Sequence, residues 1–208
     1  MRIILVANTK GGCGKTSIAT NLAAAYAQAG CTTVLADVDR QRSALGWVER
    51  RPADRPKVGA IDWVKTVGKP PKSTDCLVID SPAAMRKAQM EDLVRLADAV
   101  VLPVLPSVFD ETATRAFLDK LEELKPIRKD RTAVAVVGNR MRARSRAADR
   151  LDHFLAGIGQ RVVTRMRDSA LYAEVAAAGL GLYDLPTRRA AVPRSDWQAL
   201  MDWLEDAA

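Results

Sequence analysis

Ten residues near the start of the chain combine glycine, lysine and hydroxyl side chains in a spacing suited to binding phosphate. The segment from Asn8 to Ser17 reads Asn-Thr-Lys-Gly-Gly-Cys-Gly-Lys-Thr-Ser. Its glycines permit backbone angles that other residues resist, so amide N–H groups can turn toward one anion. Lys15 is placed to reach the β- and γ-phosphates of a nucleotide, and the Thr16 hydroxyl to ligate Mg²⁺. The segment therefore predicts a site for a di- or triphosphate.

This loop departs from the standard pattern, Gly-x-x-x-x-Gly-Lys-[Ser/Thr], in two respects. Thr9 stands where the first glycine belongs, and Lys10 adds a second cation. Because Lys15, a metal ion and the loop amides already neutralise a bound phosphate, we expect the Lys10 side chain to point elsewhere. A glycine-rich turn without a ligand is the alternative, but it requires strand, glycines, Lys-Thr pair and helix to coincide by chance.

The flanking sequence predicts the elements that hold the loop. Residues 2–7 form a short apolar, β-branched run, which is typical of a strand buried in a parallel sheet. Residues 15–29 carry apolar side chains at helical spacing, and Gly30 is the expected end of that helix. The helix N-terminus adds about half a positive charge beside the anion.

Two later apolar runs end in carboxylates. The run Thr33–Asp37 delivers Asp37 and Asp39, and the run Cys76–Asp80 delivers Asp80. Open α/β sheets bind ligands beyond the carboxyl ends of their strands. Asp80 fits the Walker B arrangement, in which an aspartate holds Mg²⁺, often through water. Solvated aspartates at strand ends are the alternative interpretation.

Strand and helix patterns alternate along the rest of the chain. This alternation predicts an α/β fold with a doubly wound, mostly parallel sheet and helices on both faces. With 208 residues and 48% hydrophobic content, we expect residues 1–208 to form one domain around one core. Further strands are predicted at residues 97–103 and 132–138, and helices at residues 90–96, 110–124 and 147–155.

The composition argues against several classes of protein. Three scattered cysteines without a Cys-x-x-Cys pair argue against a zinc site or a disulfide framework, and favour a cytoplasmic location. The longest apolar run, residues 99–109, contains two prolines and is too short to span a bilayer. Because the sequence begins with a strand, we expect neither a signal peptide nor an N-terminal helix-turn-helix domain.

Arginines are concentrated in one segment. Residues 140–150 contain five arginines against one aspartate, and the formal net charge of the chain is +7. Gathered on one face of a dimer, such residues would neutralise phosphates of duplex DNA without reading its sequence. A solvated arginine-rich surface is the alternative. The candidate DNA contacts are Arg142, Arg144 and Arg146, with Arg188 and Arg189 in a second cluster that includes Arg194.

The C-terminal segment is amphipathic but acidic. In the segment 194–208, the charged side chains after Arg194 are all acidic. Because anionic lipid repels acidic side chains, we do not expect a membrane-binding helix. Ser195 is the expected N-cap of a helix, and Trp203 is expected to be partly exposed or to touch a partner. The side chains expected to dock on the core are Trp197, Leu200, Met201 and Leu204.

Residues 10–16, Lys-Gly-Gly-Cys-Gly-Lys-Thr, resemble the deviant Walker A loop of the ParA/MinD family of ATPases, and the resemblance covers nearly the whole chain. It implies ATP and Mg²⁺ as cofactors. It also implies that Lys10 reaches across a nucleotide sandwich dimer to the ATP of the partner. The ATP-binding residues of the loop are then Lys10, Gly11, Gly12, Cys13, Gly14, Lys15, Thr16 and Ser17.

The resemblance also assigns residues outside the loop. Asp39 matches the second aspartate of the family's Asp-x-Asp-Pro-Gln segment, which helps position the hydrolytic water, although Arg40 here replaces the proline. Asn139 and Arg140 resemble an Asn-Arg pair that packs on the adenine and hydrogen-bonds it. The expected catalytic residues are Lys10, Lys15 and Asp39, and the expected metal-side residues are Thr16, Asp39 and Asp80.

Within this family, the chain is most similar to small ParA-like partition and positioning ATPases. The resemblance implies a homodimer that binds nucleoid DNA in its ATP state, and a ParB-like centromere-binding protein or cargo adaptor that stimulates hydrolysis. The cargo is a plasmid or chromosome, or alternatively a protein assembly such as a carboxysome or chemosensory cluster. A MinD-like membrane-associated ATPase and a metabolic ATP-dependent enzyme are further alternatives, and the metabolic enzyme would not need Lys10.

Overall fold

The computed structural model describes residues 1–129 and 131–207 of the chain. Within them, seven strands form one parallel sheet in the order β3-β2-β4-β1-β5-β6-β7. Strands β1 to β7 span Arg2–Val6, Thr33–Asp37, Val58–Asp62, Cys76–Asp80, Ala99–Val104, Ala133–Met141 and Arg161–Arg167. Helices α1 to α8 span Lys15–Gln28, Ser43–Glu49, Lys87–Leu96, Val108–Glu122, Lys125–Arg128, Arg146–Ala156, Leu171–Ala177 and Thr187–Asp206, and a short 3-10 turn spans Leu182–Asp184.

The first strand lies in the middle of the sheet, between β4 and β5. Val6 of β1 and Asp37 of β2 are both in register with Asp80 of β4. The carboxyl ends of these three strands therefore meet at one edge, and the loop after β1 starts there. Ligands of open α/β sheets bind where the strand order switches, so the fold brings the glycine-rich loop and the predicted carboxylates together.

Helices cover both faces of this sheet. Ile4 and Val6 of β1 belong to a buried cluster with apolar residues of α1, α2 and α8. Ile3 and Leu5 belong to a second cluster with residues of α3, α4 and α6. Successive side chains of a strand point to opposite faces, so one buried strand supplies both layers of the core. The predicted doubly wound fold is confirmed.

The predicted strand bounds hold for β2 and β4, but the predicted end of β6 is wrong. This strand continues past Gly138 to Met141, so Asn139 and Arg140 lie within it rather than directly after it. The pairing of β6 with β7 shifts register between Gly138 and Met141, and the ladder resumes where Met141 pairs with Arg167. The polar residues at this register shift end the apolar run of the sequence, but the strand itself continues through them.

Helix α8 begins at Thr187, well before the predicted N-cap. The Ser195 hydroxyl donates instead to the Val192 carbonyl at 2.8 Å, inside the helix. Pro193 also lies within α8, although proline usually ends a helix. Trp203 is only 5% exposed, so the prediction of partial exposure is wrong. None of the described helices has the length and apolar content needed to cross a membrane.

Candidate functional site

The loop between β1 and α1 turns back on itself through two left-handed glycines. Gly12 has a φ of 79° and Gly14 a φ of 97°. Gly14 also precedes the first residue of α1, with no acidic side chain in the first turn of that helix. A Cβ at Gly14 would lie 2.2 Å from Nδ2 of Asn139. The backbone is therefore shaped around glycine, and the positive end of α1 faces a potential anion site.

The Lys15 side chain folds back across this loop. Its Nζ donates to the Lys10 carbonyl at 2.9 Å and lies 3.9 Å from Sγ of Cys13. Lys15 is 7% exposed, and no carboxylate of the described residues forms an ion pair with it. A buried ammonium that contacts only neutral groups keeps most of its desolvation cost. A phosphate anion would compensate that charge.

Thr16 and Asp80 meet beside Lys15. The Thr16 hydroxyl donates to Oδ2 of Asp80 at 2.7 Å. Asp80 is 1% exposed, and its Oδ1 has no hydrogen-bond partner among the described residues. Burial raises the pKa of Asp80 to about 7, an effect that the Thr16 hydrogen bond opposes. One hydroxyl and one carboxylate with a vacant lone pair fit part of a Mg²⁺ site, the remaining ligands being phosphate and water oxygens.

The two aspartates after β2 have different partners. Asp37 is buried, and its Oδ2 accepts from the amides of Ala44 and Leu45 at 2.9 and 3.2 Å, which caps α2. Asp39 is half-buried and its Oδ1 accepts from the Gln41 amide at 3.0 Å. The charge of Asp39 contributes to the raised pKa of Asp80, so both lie at the same edge. The roles of Asp39 in positioning water and near the metal stay predictions.

Asn139 braces the phosphate loop from β6. Its Nδ2 donates to the Cys13 carbonyl at 2.8 Å, and its Oδ1 accepts from the Arg140 amide at 2.9 Å. Both residues line a cavity of about 480 Å³ beside Ser17 of α1. Other lining residues include Ile18, Met166, Asp168 and Tyr172. The cavity gives the predicted adenine-contacting pair a place to meet a base.

Asn8 is a structural part of the site whose role the sequence did not reveal. It is fully buried, and its Nδ2 donates to the Pro103 carbonyl at 2.8 Å and to the Thr114 hydroxyl at 3.0 Å. Its Oδ1 accepts from the Lys10 amide at 3.2 Å. Asn8 thus ties the loop to β5 and α4. A polar residue directly after the apolar residues 3–7 is the signal that could have identified it.

The first turn of α4 lies close to Lys10. Asp110 in this turn is 3% exposed, and its Oδ1 has no hydrogen-bond partner among the residues described. Burial raises the pKa of Asp110, whereas a hydrogen bond from Ser107 and the charge of Lys10 lower it. Within the described chain, the Lys10 ammonium makes no hydrogen bond or ion pair of its own.

The five arginines predicted to contact DNA are all exposed. Arg142 pairs with Asp168 at 2.8 Å, and Arg189 pairs with Glu174. Arg144, Arg146 and Arg188 have no ion pair in the part of the chain that the structure describes. These residues lie in the loop after β6, in the first turn of α6 and in the first turn of α8.

Arg194 does not belong with the exposed cluster. Its guanidinium donates to the Leu182 carbonyl at 2.9 Å and to the Leu185 carbonyl at 2.6 Å. The side chain is therefore used to close the turn before α8. Arg194 was predicted to join the second basic cluster because the spacing of residues along the chain does not show which carbonyls lie within reach of its side chain.

Comparisons with known proteins agree with this geometry. Residues 4–180 match the family model described as "CobQ/CobB/MinD/ParA nucleotide binding domain". The chain is 29% identical over 193 residues to maintenance of carboxysome distribution protein A of Halothiobacillus neapolitanus, covering 89% of this chain and 88% of that protein. It is 37% identical over 131 residues to the protein of the same name from Gloeobacter kilaueensis, covering 56% and 57%.

Solved structures share the fold at low sequence identity. An aspartate-to-alanine variant of Cyanothece McdA in complex with ATP superposes with a TM-score of 0.75 at 15% identity, over 96% of each chain. A Borrelia burgdorferi protein assigned to plasmid partition, bound to AMPPNP, gives a TM-score of 0.73 at 14% identity, over 97% of this chain and 98% of that one. The family match spans most of the sequence and includes the glycine loop and the Thr16–Asp80 pair. The chain therefore belongs to the CobQ/CobB/MinD/ParA nucleotide binding domain family and carries an ATPase domain of the ParA/MinD type.

Proposed function

We propose that this chain is a dimerising ATPase switch that binds nucleoid DNA in its ATP state and positions a cargo. The observation that carries the proposal is the hydrogen bond between Thr16 and Asp80 beside the glycine loop, which joins a phosphate cradle to a metal-side carboxylate. Residues 1–208 act as one domain in this scheme. A partner protein stimulates hydrolysis and so releases the dimer from DNA.

The residues of the loop would position ATP for hydrolysis. Backbone amides of residues 10–17 and the Lys15 ammonium bind the phosphates, and Thr16 and Asp80 hold Mg²⁺. A Mg²⁺ ion held there would neutralise negative charge on the phosphates. Asp39 orients the attacking water, while Asn139 and Arg140 flank the adenine. Catalysis in this scheme rests on positioning and electrostatics, without a covalent intermediate.

Lys10 supports the dimeric part of the proposal. Its backbone is fixed, because its amide donates to Asn8 and its carbonyl accepts from Lys15. Its side chain is half-buried. The Lys10 backbone is held in place, while its ammonium makes no hydrogen bond or ion pair within the described chain. Such a residue is suited to complete a binding site on another chain. We therefore assign Lys10 to the ATP of the partner in a two-fold sandwich.

The exposed arginines support binding to duplex DNA. Arg144, Arg146 and Arg188 present guanidinium groups whose charge is not compensated by a carboxylate of the described residues. Such groups contact phosphates of any sequence, and two copies in a dimer double their number. DNA binding would then require ATP because the single chain offers too few contacts. We therefore assign the active form to the nucleoid.

Two cargoes are compatible with the mechanism. Both curated relatives are named for carboxysome distribution, which favours a protein assembly and a cargo adaptor as the partner. The structural likeness to a protein assigned to plasmid partition keeps DNA segregation, with a ParB-like partner, as the second candidate. The gene beside this one distinguishes them, since it would encode either an adaptor or a centromere-binding protein.

DNA binding in the presence of ATP, ADP or no nucleotide tests the proposal. We expect a random-sequence duplex to bind with ATP and Mg²⁺, and to bind much more weakly with ADP or without nucleotide. The affinity should fall steeply with salt and should not depend on sequence. Equal affinity in all three nucleotide conditions would contradict the switch.

A further inference from the structure

A cavity of about 360 Å³ lies between the loop after β3 and the start of α3. Because β3 and β4 both run toward the sheet edge that carries the phosphate loop, the cavity lies at that same edge. It shares no lining residue with the cavity beside Asn139, and none of its residues is assigned to ATP, metal or DNA. Its lining includes Trp63, Lys65 and Val67 of the loop, and Arg86, Ala88 and Asp92 from the first turns of α3.

The floor of this cavity is apolar and firmly held. Trp63 is 3% exposed, and its amide donates to the Asp37 carbonyl at 2.8 Å. The next amide, that of Val64, donates to Oδ1 of Asp62 at 3.0 Å. Val67 packs against the core cluster that contains Trp63. The cavity therefore exists before a ligand binds, and a preformed site loses little binding free energy to the ordering of its own chain.

Uncompensated cations surround this floor. Lys65 and Arg86 line the cavity, Lys69 lies two residues after Val67, and Lys87 follows Arg86. All four cationic side chains are exposed, and none forms an ion pair within the described residues. An exposed cation is common on a surface, but two that line one apolar cavity form a site for an anionic group with an apolar neighbour.

The carboxylates close to the cavity already have cationic partners. Asp62, at the end of β3, pairs with Arg42 at 3.0 Å, and Asp92 of the lining pairs with Arg95 at 3.4 Å. Both pairs are exposed and contribute little to stability, yet they direct these carboxylates away from the lining cations. The cavity therefore keeps positive charge that a ligand can compensate.

We propose that this cavity binds an acidic segment of a partner protein, which places an apolar side chain against the floor and carboxylates on Lys65 and Arg86. Carboxylates form charge-assisted hydrogen bonds with lysine and arginine, and an apolar side chain is stabilised when it leaves water. We take this partner to be the protein that stimulates hydrolysis, and in that respect the inference rests on the proposed function.

Both walls of the cavity lead to the ATP site. Trp63 is hydrogen-bonded to Asp37, two residues before Asp39. Arg86 lies six residues after Asp80, on the segment that joins β4 to α3. A peptide bound between these walls would contact a residue from each stretch of chain that carries a carboxylate of the ATP site. This position fits a ligand that changes the rate of hydrolysis.

The position and lining of the cavity favour a protein over DNA. Five strand spacings of about 4.8 Å, or roughly 24 Å, separate β3 from β6. The arginines assigned to DNA follow β6 or lie at the starts of α6 and α8. A duplex presents a charged, convex surface that would leave the apolar floor uncovered, whereas a peptide side chain can enter the cavity and cover it.

Short random peptides displayed on phage are the probe for this site. Selection on the full chain, with a slowly hydrolysed ATP analogue and Mg²⁺, should enrich peptides that combine net negative charge with a large apolar side chain. Lys65→Ala/Arg86→Ala should weaken binding of the enriched synthetic peptides roughly tenfold, because two charge-assisted contacts are lost. Ala88→Glu, at an exposed helix position of the lining, should also weaken it, because it adds a repelling carboxylate. Fluorescence anisotropy measures these affinities.

Arg146→Ala/Arg188→Ala is the matched control, since it also removes two exposed cations, but from the surface assigned to DNA. It should leave peptide affinity unchanged and weaken DNA binding, whereas Lys65→Ala/Arg86→Ala should do the reverse. The inference is overturned if the enriched peptides lack net negative charge, or if they bind Lys65→Ala/Arg86→Ala as tightly as the wild type. Loss of DNA affinity with intact peptide affinity in that variant would give this surface to DNA instead.

ATP turnover separates this inference from the proposed function. An enriched peptide should raise turnover of the wild type and leave that of Lys65→Ala/Arg86→Ala unchanged. Peptide binding without any change in turnover would exclude the cavity as the site of the stimulating partner. If the wild type does not hydrolyse ATP, the proposed function fails, while the peptide affinities still decide whether the cavity binds an acidic segment.

Discussion

Thr16 and Asp80 lie 64 positions apart in the chain, yet the Thr16 hydroxyl donates to Oδ2 of Asp80 at 2.7 Å. The contact joins the first turn of α1 to the end of β4, and it leaves Oδ1 of Asp80 buried without a partner among the described residues. A buried carboxylate held in this way is destabilised when it is charged and no metal ion is bound. It can be stabilised by a bound metal ion.

Asp80→Asn should therefore separate stability from activity. The pKa of Asp80 is raised to about 7, so the folded chain binds this proton more tightly than the unfolded chain. Relative to an ionised Asp80, the protonated carboxyl stabilises the folded chain. This stabilisation is fully present below the usual pKa of an aspartate, near 4, and is lost as the pH rises through about 7. Without nucleotide, we expect the variant to exceed the wild type in stability at pH 8, by on the order of 2 kcal/mol, and to lose that advantage toward pH 5.

Thermal unfolding from pH 5 to pH 8 measures the effect, and parallel pH profiles of the two proteins would contradict it. In the same variant, Mg²⁺-dependent ATP hydrolysis should be lost, because the amide is a much poorer ligand for a hard cation. The mutant should still fold, since its side-chain oxygen can accept from Thr16.

The two lysines of the loop should give different phenotypes. Lys15→Gln should abolish ATP binding, because the buried ammonium that spans the loop is removed. Lys10→Ala should leave ATP binding to the monomer measurable but remove ATP-dependent dimerisation. Titration of nucleotide and sedimentation velocity distinguish the two. Equal dimerisation of Lys10→Ala and the wild type would exclude Lys10 from the partner's site.

Gly14 should not tolerate a side chain. Its φ of 97° strains any residue with a Cβ, and that Cβ would lie 2.2 Å from Nδ2 of Asn139. We expect Gly14→Ala to destabilise the fold by about 1–3 kcal/mol and to weaken ATP binding. The double variant Gly14→Ala/Asn139→Ala should recover only part of the stability, because removing the clash leaves the backbone strain.

Gly11→Ala is the matched control for stability. A Cβ at Gly11 would meet nothing within 4 Å, and Gly11 is not among the positive-φ glycines. Its melting temperature should stay close to that of the wild type. If Gly14→Ala melts at the same temperature as Gly11→Ala, the loop does not pack against Asn139 as closely as the structure indicates.

Asp39→Ala should trap the ATP-bound state. Asp39 contacts the Gln41 amide and not the Thr16–Asp80 pair, so its loss should spare nucleotide binding while removing the group that we assign to orienting water. We expect an ATP-dependent dimer with at least roughly tenfold lower turnover, in line with the usual contribution of a group that activates the nucleophile. Phosphate release with the partner present measures it, and wild-type turnover would show that Asp39 is misassigned.

Local sequence patterns were sufficient for the buried part of the fold. The runs that end at Asp37 and Asp80 are fully buried strands in the structure, and a continuous apolar run depends little on its neighbours. The edge strands β3 and β7 were missed because they are only partly buried. In β3, Val58 is buried but Gly59 and Ala60 are both exposed. The sequence of this strand therefore shows neither a continuous apolar run nor an alternation of apolar and polar residues.

The sequence predicts which residues of the site could bind phosphate and metal, but it does not predict the hydrogen bonds that hold the phosphate loop in place. Lys15, Thr16 and Asp80 follow from spacing and from strand ends, since the phosphate loop requires a metal-side carboxylate. The hydrogen bonds from Asn139 to the Cys13 carbonyl and from Asn8 to Thr114 cross between distant elements. Such contacts depend on how helices and strands pack, which the composition of a single segment does not encode.

Arginines with and without carboxylate partners should contribute differently to DNA binding. Arg144 is exposed and has no ion pair among the described residues, whereas Arg167 forms two hydrogen bonds with Asp196 at 2.7 and 2.6 Å. Arg144→Ala should therefore weaken binding of the ATP dimer to duplex DNA more than Arg167→Ala, although each removes one charge. The triple variant Arg142→Ala/Arg144→Ala/Arg146→Ala should weaken binding equally for unrelated sequences.

The salt dependence of affinity gives the decisive measurement. Each lost phosphate contact should reduce the slope of log affinity against log salt by roughly one, so the triple variant should show a clearly flatter line than the wild type. Dimerisation of the variant must be verified first, because a weaker dimer also binds DNA less tightly. An unchanged slope with an intact dimer would show that these arginines are solvated and do not contact DNA. The phosphate contacts would then have to come from other residues.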